Sequence, residues 1–316
     1  MFKFLVCEPI AKPGLDVLSA AGEVRMASTP DSDTVAAEIG DIDGVLTRGQ
    51  TSMTRQVMEH APKLKVIGRH GVGVDNIDLD AATDLGIQVV NTPQATVEGV
   101  AEHAVGLMLA LSKRIVFANK EIRVGNFAVR DAITGREMRG RTLGVIGFGR
   151  IGQRVAQICH YGLDMPILYR DIVDVPEMEA ALKARRVDLD EILGTAEYIS
   201  VHVPLIPATR GLIGKEEFAK MRPETMFINT SRGPVVDEAA LYAALAGHKI
   251  ASAAIDVFEQ EPTSANNPLF ALENIVVTPH IASSTEEAKR GMSLVAEDIV
   301  AVLQGRAPKY PVNRLP

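Results

Sequence analysis

The chain has 316 residues, which is enough for two domains that each bury a hydrophobic core. Its net charge of −7 argues against a nucleic acid or a membrane surface as partner, because those partners select basic surfaces. Two distant cysteines, Cys7 and Cys159, provide neither a disulfide framework nor a zinc-binding spacing, and without a cleavage signature or a membrane-spanning apolar stretch we expect a cytoplasmic protein.

The first hundred residues alternate short apolar runs with stretches of helical character. This rhythm predicts a parallel sheet that is covered by helices on both faces. The predicted strands are Phe2–Cys7, Gly44–Thr47, Leu64–Gly68 and Gln88–Asn91. The predicted helices are Gly14–Ala21, Ser32–Ile39, Thr54–His60 and Asp80–Leu85.

The middle of the chain changes character twice. A long apolar stretch without proline predicts one helix from Glu98 to Asn119, and a turn-rich, charged stretch runs from Arg123 to Arg141. A second α/β set then begins, with predicted strands at Leu143–Ile146, Ile167–Tyr169, Tyr198–Val201, Met226–Asn229, Ile250–Val257 and Ile275–Thr278. The segment from Ser284 to Gln304 again has helical periodicity, which ends at Gly305 and Pro308.

Three glycines, Gly147, Gly149 and Gly152, follow the predicted strand Leu143–Ile146 and precede a helical stretch. Glycines at this spacing also occur by chance, so the neighbouring strand, helix and acidic residue decide whether they indicate a dinucleotide-binding unit. In a dinucleotide-binding unit they make the tight turn, admit the pyrophosphate and pack helix on strand, and an acidic side chain about 20 residues on receives the ribose hydroxyls. Asp171 lies at that place. The mid-chain position predicts that a domain for the substrate precedes this unit.

Three later segments end in polar or charged residues that suit the oxidation of a 2-hydroxy acid. Because the carboxyl ends of parallel strands share one edge of a sheet, we expect these side chains to converge. A guanidinium can hold a carboxylate in a planar fork, and an imidazole can take the hydroxyl proton while a carboxylate favours its charged form. Singly, each residue also fits a surface salt bridge, a turn or a structural histidine. The candidates are Arg232, Asp256, Glu261 and His280.

These segments together resemble the D-isomer-specific 2-hydroxyacid dehydrogenase family. The resemblance implies two doubly wound parallel-sheet α/β domains, with a Rossmann cofactor domain at residues 99–283 inserted in a flavodoxin-like substrate domain at 1–98 and 284–316. It is carried by the glycine segment 147–152, Asn229-Thr-Ser-Arg232-Gly-Pro-Val-Val-Asp237-Glu, Asp256-Val-Phe-Glu-Gln-Glu261-Pro, Thr278-Pro-His280-Ile, Arg69-His-Gly-Val-Gly-Val-Asp75-Asn-Ile-Asp and Asn91-Thr-Pro.

The resemblance also implies roles for individual residues. Arg232 would anchor the substrate, His280 would be the acid/base and Glu261 its partner, while Asp256 would hold the carboxamide of the nicotinamide. Contacts to NAD are implied for Gly147, Gly149, Arg150, Ile151, Gly152, Asp171, His202, Pro204, Thr209 and Thr230, and contacts to the substrate for Arg48, Arg69, Val72, Gly73 and Arg232. No metal is implied. In this family regions such as Glu98–Asn119 and Arg123–Arg141 pair two subunits, so a homodimer is expected.

The choice of substrate depends on a narrower resemblance. Leu46-Thr-Arg48-Gly-Gln-Thr, Gly68-Arg69 and Val100-Ala-Glu102-His103 resemble the phosphoglycerate dehydrogenase branch, which implies that Arg48 and Arg69 face a substrate phosphate. A solvated salt-bridge role is the alternative for each arginine. His70 departs from the small residue usual there, and since nothing follows residue 316 no regulatory domain is expected.

Three functions therefore stay open, and none of them involves a nucleic acid or a membrane as partner. The first is hydride transfer between NAD and C2 of a small anionic 2-hydroxy or 2-keto acid, with 3-phosphoglycerate or a similar dianionic acid as the substrate. The second is reduction of hydroxypyruvate or glyoxylate. The third is an NAD-sensing interaction protein rather than a metabolic enzyme.

The choice of cofactor depends on Arg170 and Asp171. Counted from Gly152, this segment is about one residue longer than the commoner family spacing, so either side chain can face the ribose. A carboxylate accepts both ribose hydroxyls and repels a 2′-phosphate, whereas an arginine accepts the phosphate. The Tyr-x-acid ending favours Asp171, and with it NAD.

Overall fold

The computed structural model describes residues 1–315, which form two compact units. The first unit comprises Met1–Thr96 and the chain from Ser284 onward, and the second comprises Val97–Ser283. Each unit contains one sheet, and all strand pairs in both sheets are parallel. The predicted fold class, two parallel-sheet α/β domains, is confirmed.

The first unit begins with a regular alternation of strand and helix. Its elements are β1 (Phe2–Val6), α1 (Lys12–Ala21), β2 (Gly22–Met26), α2 (Ser32–Glu38), β3 (Gly44–Thr47), α3 (Arg55–Glu59), β4 (Val66–Arg69), α4 (Leu79–Asp84) and β5 (Gln88–Val90). The strand order is β2-β1-β3-β4-β5, which is the flavodoxin-like order. Strand β2 was not predicted, because it is a half-exposed edge strand and lacks an apolar run.

The second unit starts with helices and continues as alternating strands and helices. Its elements are α5 (Val97–Ser112), α6 (Ile115–Arg123), β6 (Leu143–Ile146), α7 (Arg150–Leu163), β7 (Ile167–Arg170), α8 (Pro176–Leu182), β8 (Arg185–Arg186), α9 (Leu189–Thr195), β9 (Tyr198–Val201), α10 (Lys215–Lys220), β10 (Met226–Asn229), α11 (Glu238–Ala246), β11 (Ser252–Ile255) and β12 (Ile275–Val277). The order β12-β11-β10-β9-β6-β7-β8 is that of a Rossmann sheet with one added strand.

The chain returns to the first unit through α12 (Glu286–Ser293) and α13 (Val295–Leu303). The helical periodicity of Ser284–Gln304 corresponds to two helices, which are separated at Leu294, where the backbone leaves the helical geometry. Side chains of α13 pack against strands of the first sheet: the methyl groups of Ile299 lie so close to Gly44 and Gly68 that a Cβ there would overlap them. These glycines let the helix approach the sheet.

The predicted long helix from Glu98 to Asn119 is wrong in its length. Arg114 adopts a left-handed conformation, with φ of 52°, and separates α5 from α6. Helix α5 is largely buried, whereas α6 has no buried residue. The apolar sequence continues beyond Ser112, but the burial of its side chains against the rest of the unit ends there, and so does helix α5.

The second sheet is buried on both faces, as its uninterrupted apolar strands predict. Strands β6, β9 and β10 are buried at every residue. One hydrophobic cluster joins this sheet to α5 and α7, and a separate cluster lies on the opposite face. This packing fixes where each strand ends and so positions the polar residues that follow. In residues 1–315 no helix is both long and apolar enough to cross a bilayer.

Candidate active site

The glycine segment forms the tight connection between β6 and α7. Gly147 has a φ of +91°, and a Cβ there would lie 2.7 Å from the backbone carbon of His202 at the end of β9. Strands β6 and β9 are the neighbours at which the strand order reverses, which is where open α/β sheets bind ligands. Gly152 abuts the carbonyl oxygen of Gly147, so a Cβ would collide with it. Both positions require glycine.

Gly149 opens the N-terminus of α7 to a ligand. A Cβ at this position would meet nothing within 4 Å, and the helix has no side-chain cap. Arg150, the first helical residue, is exposed, and Ile151 packs against the core. The uncapped backbone N–H groups of this 14-residue helix therefore suit an anion such as a pyrophosphate.

Asp171 follows β7 and reaches back to the glycine segment. Its Oδ2 accepts a hydrogen bond of 2.5 Å from the backbone N–H of Phe148, and its Oδ1 accepts one of 3.1 Å from Val173. Arg170, the last strand residue, is tied there through its backbone, because its carbonyl accepts the N–H of Gly147 at 2.9 Å. Of the two candidates, Asp171 has its charged group at the glycine segment.

His202, the next predicted cofactor residue, follows β9 and has a neutral side chain. The backbone N–H of His202 donates to the carbonyl of Ile146 at 2.7 Å, and its Nε2 lies 2.8 Å from the hydroxyl of Ser200. Burial lowers the pKa of His202 to about 4, so this imidazole is uncharged at neutral pH. Downstream, the Thr209 hydroxyl donates to the carbonyl of Pro204 at 2.5 Å and stabilises the turn between them.

Thr230, directly after β10, has an unused polar atom. Its Oγ1 is buried and has no hydrogen-bond partner among residues 1–315. An unsatisfied buried hydroxyl costs about 1–3 kcal/mol, which a bound ligand would recover. Together with the open space before Gly149 and the carboxylate of Asp171, this atom makes the second unit a fit for a dinucleotide.

His280 and Glu261 form a hydrogen-bonded pair. Nδ1 of His280 lies 2.7 Å from Oε2 of Glu261, while Oε1 accepts the backbone N–H of Phe258 at 3.0 Å. Burial alone would raise the pKa of Glu261, but the hydrogen bonds from His280 and Phe258 and the charge of Arg232 outweigh it and hold that pKa below its ordinary value. The pair remains open to solvent, with 46% of the His280 side chain exposed.

Arg232 belongs to the same neighbourhood. It follows β10 and donates from Nη1 to the carbonyl of Ser231 at 2.8 Å. The carbonyl of Arg232 accepts a hydrogen bond of 3.1 Å from the side-chain amide of Asn229. The next residue, Gly233, packs so tightly on the backbone of Phe258 that a Cβ could not be accommodated. The structure thus brings Arg232, Glu261 and His280 together, although they are spread over 49 positions of sequence.

Asp256, which was predicted to hold the nicotinamide, lies fully buried beneath the His280 turn. Its carboxylate accepts hydrogen bonds from the hydroxyl of Thr278 and from the backbone N–H groups of Ile281 and Ala282. Burial would raise the pKa of Asp256, but these bonds and one involving His103 hold it lower than usual. The sequence did not suggest His103 and Thr278 as its partners.

The four predicted substrate residues of the first domain lie at or after the ends of β3 and β4. Arg48 donates from Nη1 to the carbonyl of Pro9 at 2.9 Å, and the Arg69 guanidinium donates to the carbonyl of His70. Val72 and Gly73 form the turn that follows, with the Val72 carbonyl accepting from an asparagine amide at 2.7 Å.

His70 reports the charge of this neighbourhood. Burial, together with the positive charges of Arg48 and Arg69, lowers its pKa to about 4. Both guanidinium groups are therefore close enough to act on one imidazole, and the ring stays neutral at physiological pH. Two positive charges thus act on one site in a chain that is acidic overall.

Glu8 is a site residue that the sequence analysis missed. It follows β1, the neighbour of β3 at the point where the order of the first sheet reverses. Its buried carboxylate accepts the backbone N–H groups of Arg48 at 2.8 Å and of Gln50 at 2.9 Å. Glu8 thereby fixes the segment that presents Arg48. An acidic residue at the end of a buried strand was the available signal.

The residues gathered in the second unit define a dinucleotide-binding α/β protein with an imidazole–carboxylate pair suited to proton transfer. Residues 105–282 match the family model described as "D-isomer specific 2-hydroxyacid dehydrogenase, NAD binding domain". The chain belongs to the D-isomer-specific 2-hydroxyacid dehydrogenase family. In residues 1–315 no group of three or more His, Cys, Asp or Glu side chains is placed to hold a metal.

Individual relatives agree with this assignment. The chain is 42% identical to D-3-phosphoglycerate dehydrogenase of Archaeoglobus fulgidus over 98% of its own length, and spans 59% of that relative. It is 37% identical to glyoxylate reductase of Thermococcus litoralis, covering 99% of this chain and 97% of that one. The crystal structure of the TT0316 protein from Thermus thermophilus superposes with a TM-score of 0.92 at 33% identity, over 99% of this chain and 100% of that chain.

Proposed function

We propose that this chain carries out NAD-dependent hydride transfer at C2 of a D-2-hydroxy acid. The observation that carries the proposal is the His280–Glu261 hydrogen bond of 2.7 Å, within the unit that also holds the glycine segment and Asp171. An exposed imidazole paired with a carboxylate is equipped to move a proton at a neighbouring hydroxyl. A purely structural histidine would not need its ring to be open to solvent.

The cofactor would be held by residues that follow five strands, β6, β7, β9, β10 and β11. The N–H groups at the start of α7, with Arg150 and Ile151, would receive the pyrophosphate, and Asp171 the ribose. His202, Pro204 and Thr209 would line the cleft, and Thr230 would offer its unpaired hydroxyl. The resemblance would place Asp256 at the carboxamide, although its carboxylate is fully buried and hydrogen-bonded to Thr278, Ile281 and Ala282. NAD, when bound, supplies the acceptor for the hydride, and NADH its donor.

The protein's own residues would handle the proton and the substrate. In oxidation, Nε2 of His280 accepts the proton of the C2 hydroxyl, and the positive charge that develops on the ring is stabilised by Glu261 at Nδ1. In reduction the same ring returns the proton to the carbonyl oxygen. Arg232 grips the substrate carboxylate with its planar fork.

The first substrate candidate is 3-phosphoglycerate or another acid with a second anionic group. It is supported by Arg48 and Arg69, whose positive charges both act on His70, and Val72 and Gly73 follow Arg69 in the chain. The relative from Archaeoglobus is named as a phosphoglycerate dehydrogenase. Glyoxylate or hydroxypyruvate reduction is the second candidate, because the glyoxylate reductase of Thermococcus matches over nearly its whole length.

A panel of 2-keto acids tests the proposal directly. Purified protein would be mixed with NADH or NADPH and with 3-phosphohydroxypyruvate, hydroxypyruvate or glyoxylate, and the decrease in absorbance of the reduced cofactor followed. Turnover with any of them supports the enzyme class, and their kcat/KM values rank the substrates. NADH that binds without turnover of any acid would instead favour an NAD-sensing interaction protein.

Glu261→Gln should move the pH dependence of catalysis downward. The carboxylate favours the charged imidazole, so without it His280 loses its proton at lower pH. Reduction, which needs the charged ring, should then decline at lower pH, and oxidation, which needs the neutral ring, should start at lower pH. The measurement is kcat/KM against pH in both directions. Glu259→Gln, two residues away, is the matched control, and identical profiles for both variants and the wild type would make Glu261 a turn residue.

Asp171→Ala should weaken NADH binding and narrow the preference for NADH over NADPH. In the wild type, the 2′-phosphate of NADPH is repelled by the Asp171 carboxylate, and NADPH lacks one of the two ribose hydroxyls that this carboxylate accepts. In the variant neither the repulsion nor the hydrogen bonds to the hydroxyls remain, so the two cofactors should bind more equally. Dissociation constants for both cofactors, from fluorescence titration, provide the test. Asp174→Ala removes a carboxylate of the same loop that pairs with Arg186 and serves as control. A wild type that prefers NADPH would assign the ribose site to Arg170.

The second copy of this chain is the proposed partner. The residues just after α6 expose apolar side chains that an isolated monomer rarely leaves in water, including Val124 at 77% and Phe127 at 64%. An isologous two-fold dimer would cover them. Sedimentation equilibrium should give a dimer mass at micromolar concentration and a monomer for Val124→Glu combined with Phe127→Glu. Ile172→Glu, an exposed apolar site elsewhere, should leave the dimer intact. A monomeric wild type would contradict the proposal.

A cytoplasmic location is proposed with the same function. Both cysteines of the chain, Cys7 and Cys159, are buried and free, which suits a reducing compartment. Burial raises the pKa of each thiol to about 12, so neither is a reactive thiolate at physiological pH.

A further inference from the structure

The turn that carries His280 is fastened to one buried carboxylate. After β12, the backbone N–H groups of Ile281 and Ala282 donate to the two oxygens of Asp256 at 2.9 and 2.8 Å. The N–H of His280 itself donates to the backbone carbonyl of Asp256 at 2.7 Å. The turn is therefore attached to the end of β11 at three successive residues.

A turn of this kind needs such an anchor, because His280 is in an unfavourable backbone conformation. Its φ is +53°, in the left-handed region, which costs a non-glycine residue about 1–2 kcal/mol. If the anchor loosened, the residue would relax toward the ordinary region and its ring would leave Glu261. The position of the imidazole therefore depends on the orientation of the Asp256 carboxylate.

That orientation is set by a chain of hydrogen bonds from helix α5. The Thr278 hydroxyl lies 2.5 Å from Oδ1 of Asp256, and Nε2 of His103 lies 3.1 Å from the same hydroxyl. A hydroxyl has one proton, and an ionised carboxylate can only accept, so Thr278 donates to Asp256 and accepts from His103. This order requires a proton on Nε2 of His103. Asp256 is completely buried, so no solvent competes for it.

We propose that His103 and Thr278 are positioning residues, which orient Asp256 and through it hold His280 in place against Glu261. Neither residue needs to touch the substrate. The inference deepens the proposed function and rests on the role given there to His280. It explains why a polar imidazole projects from a helix whose other side chains are mostly buried and apolar.

Four variants and one matched control test the proposal. Thr278→Val removes the hydroxyl and keeps the side-chain shape, and Thr278→Ser restores the hydroxyl. His103→Leu removes the donor, and His103→Gln replaces it with an amide N–H. The control is Thr225→Val, which removes a fully buried hydroxyl that donates to a carbonyl at 3.1 Å at the opposite, amino end of β10.

Two readouts separate positioning from simple stability. The first is kcat and KM with the preferred keto acid; small displacements of a catalytic group can cost up to about 100-fold in rate, so Thr278→Val and His103→Leu should lower kcat by about 10- to 100-fold with KM little changed. The second is the pH midpoint of the His280 ring C–H resonance in the ligand-free protein, assigned by its absence in His280→Asn. It should move downward, as in Glu261→Gln.

The two conservative variants should retain the wild-type kcat and midpoint, and Thr225→Val should lose thermal stability alone. If Thr278→Val and His103→Leu unfold at lower temperature but keep the wild-type kcat and midpoint, the proposal is wrong. If Thr278→Val does not fold, His103→Leu against His103→Gln decides in the same way. If the wild type reduces no keto acid, the proposed function fails, while the resonance midpoints still test the anchor.

Discussion

His280→Asn should lower kcat by about 10²–10⁴, the range expected when a general acid/base is lost, while NADH binds as it does to the wild type. Asparagine tolerates the left-handed conformation that His280 adopts, so the variant should keep the turn. Its amide can neither accept the C2 proton nor carry the positive charge that Glu261 is proposed to stabilise. Steady-state rates with the best keto acid and a fluorescence titration with NADH measure the two effects separately.

His248→Asn is the matched control for this variant. His248 is exposed and has a φ of 52°, almost identical to that of His280, but it follows α11. The same substitution in the same backbone conformation should leave kcat unchanged. Near-normal turnover in His280→Asn would remove His280 from the proton-transfer role and leave the His280–Glu261 pair as a structural contact.

The sequence was sufficient for the elements whose demands are local. The glycine segment is the clearest example. Gly147 has a positive φ and Gly152 has no room for a Cβ, and glycine is the residue type that meets both requirements. The buried strands were equally visible as apolar runs. The edge strands β2, which is half-exposed, and β8, which is exposed, were missed because strands open to solvent have polar sequences.

The contacts that position the site could not be predicted because they join distant residues. Glu8 binds a segment 40 residues later, and His103 reaches a threonine 175 residues away. The sequence around Glu8 or His103 contains no feature that identifies its hydrogen-bond partner. The same holds for the break at Arg114, which depends on where tertiary cover ends. In contrast, Arg232, Glu261 and His280 could be inferred as a group, since parallel strands present their carboxyl ends at one edge.

Arg48→Ala should lower kcat/KM by about 10- to 100-fold for 3-phosphohydroxypyruvate or another keto acid with a second anion, and hardly at all for glyoxylate. A charge-assisted hydrogen bond contributes roughly 1.5–3 kcal/mol, which corresponds to that factor. Glyoxylate has only the carboxylate that Arg232 is proposed to hold. The comparison of kcat/KM for the two substrates, in wild type and variant, measures the effect.

A structural role for Arg48 is the rival explanation, and the structure shows its basis. The Arg48 guanidinium donates to the carbonyl of Pro9, and Glu8 already holds the Arg48 backbone. Loss of a structural arginine would lower kcat/KM for both substrates equally. Arg55→Ala, which breaks an exposed ion pair with Asp84 in the same unit, measures the general cost of removing an arginine.

The three outcomes lead to different enzymes. A selective loss with the dianionic substrate would assign Arg48 to its second anion and favour the phosphoglycerate reading. Equal losses with both substrates would make the arginine structural. No loss with either would show that Arg48 does not contact the substrate and would favour glyoxylate or hydroxypyruvate, because the proposed hydride transfer at C2 uses only Arg232, Glu261 and His280. The positive charges of Arg48 and Arg69, which both act on His70, favour the first outcome.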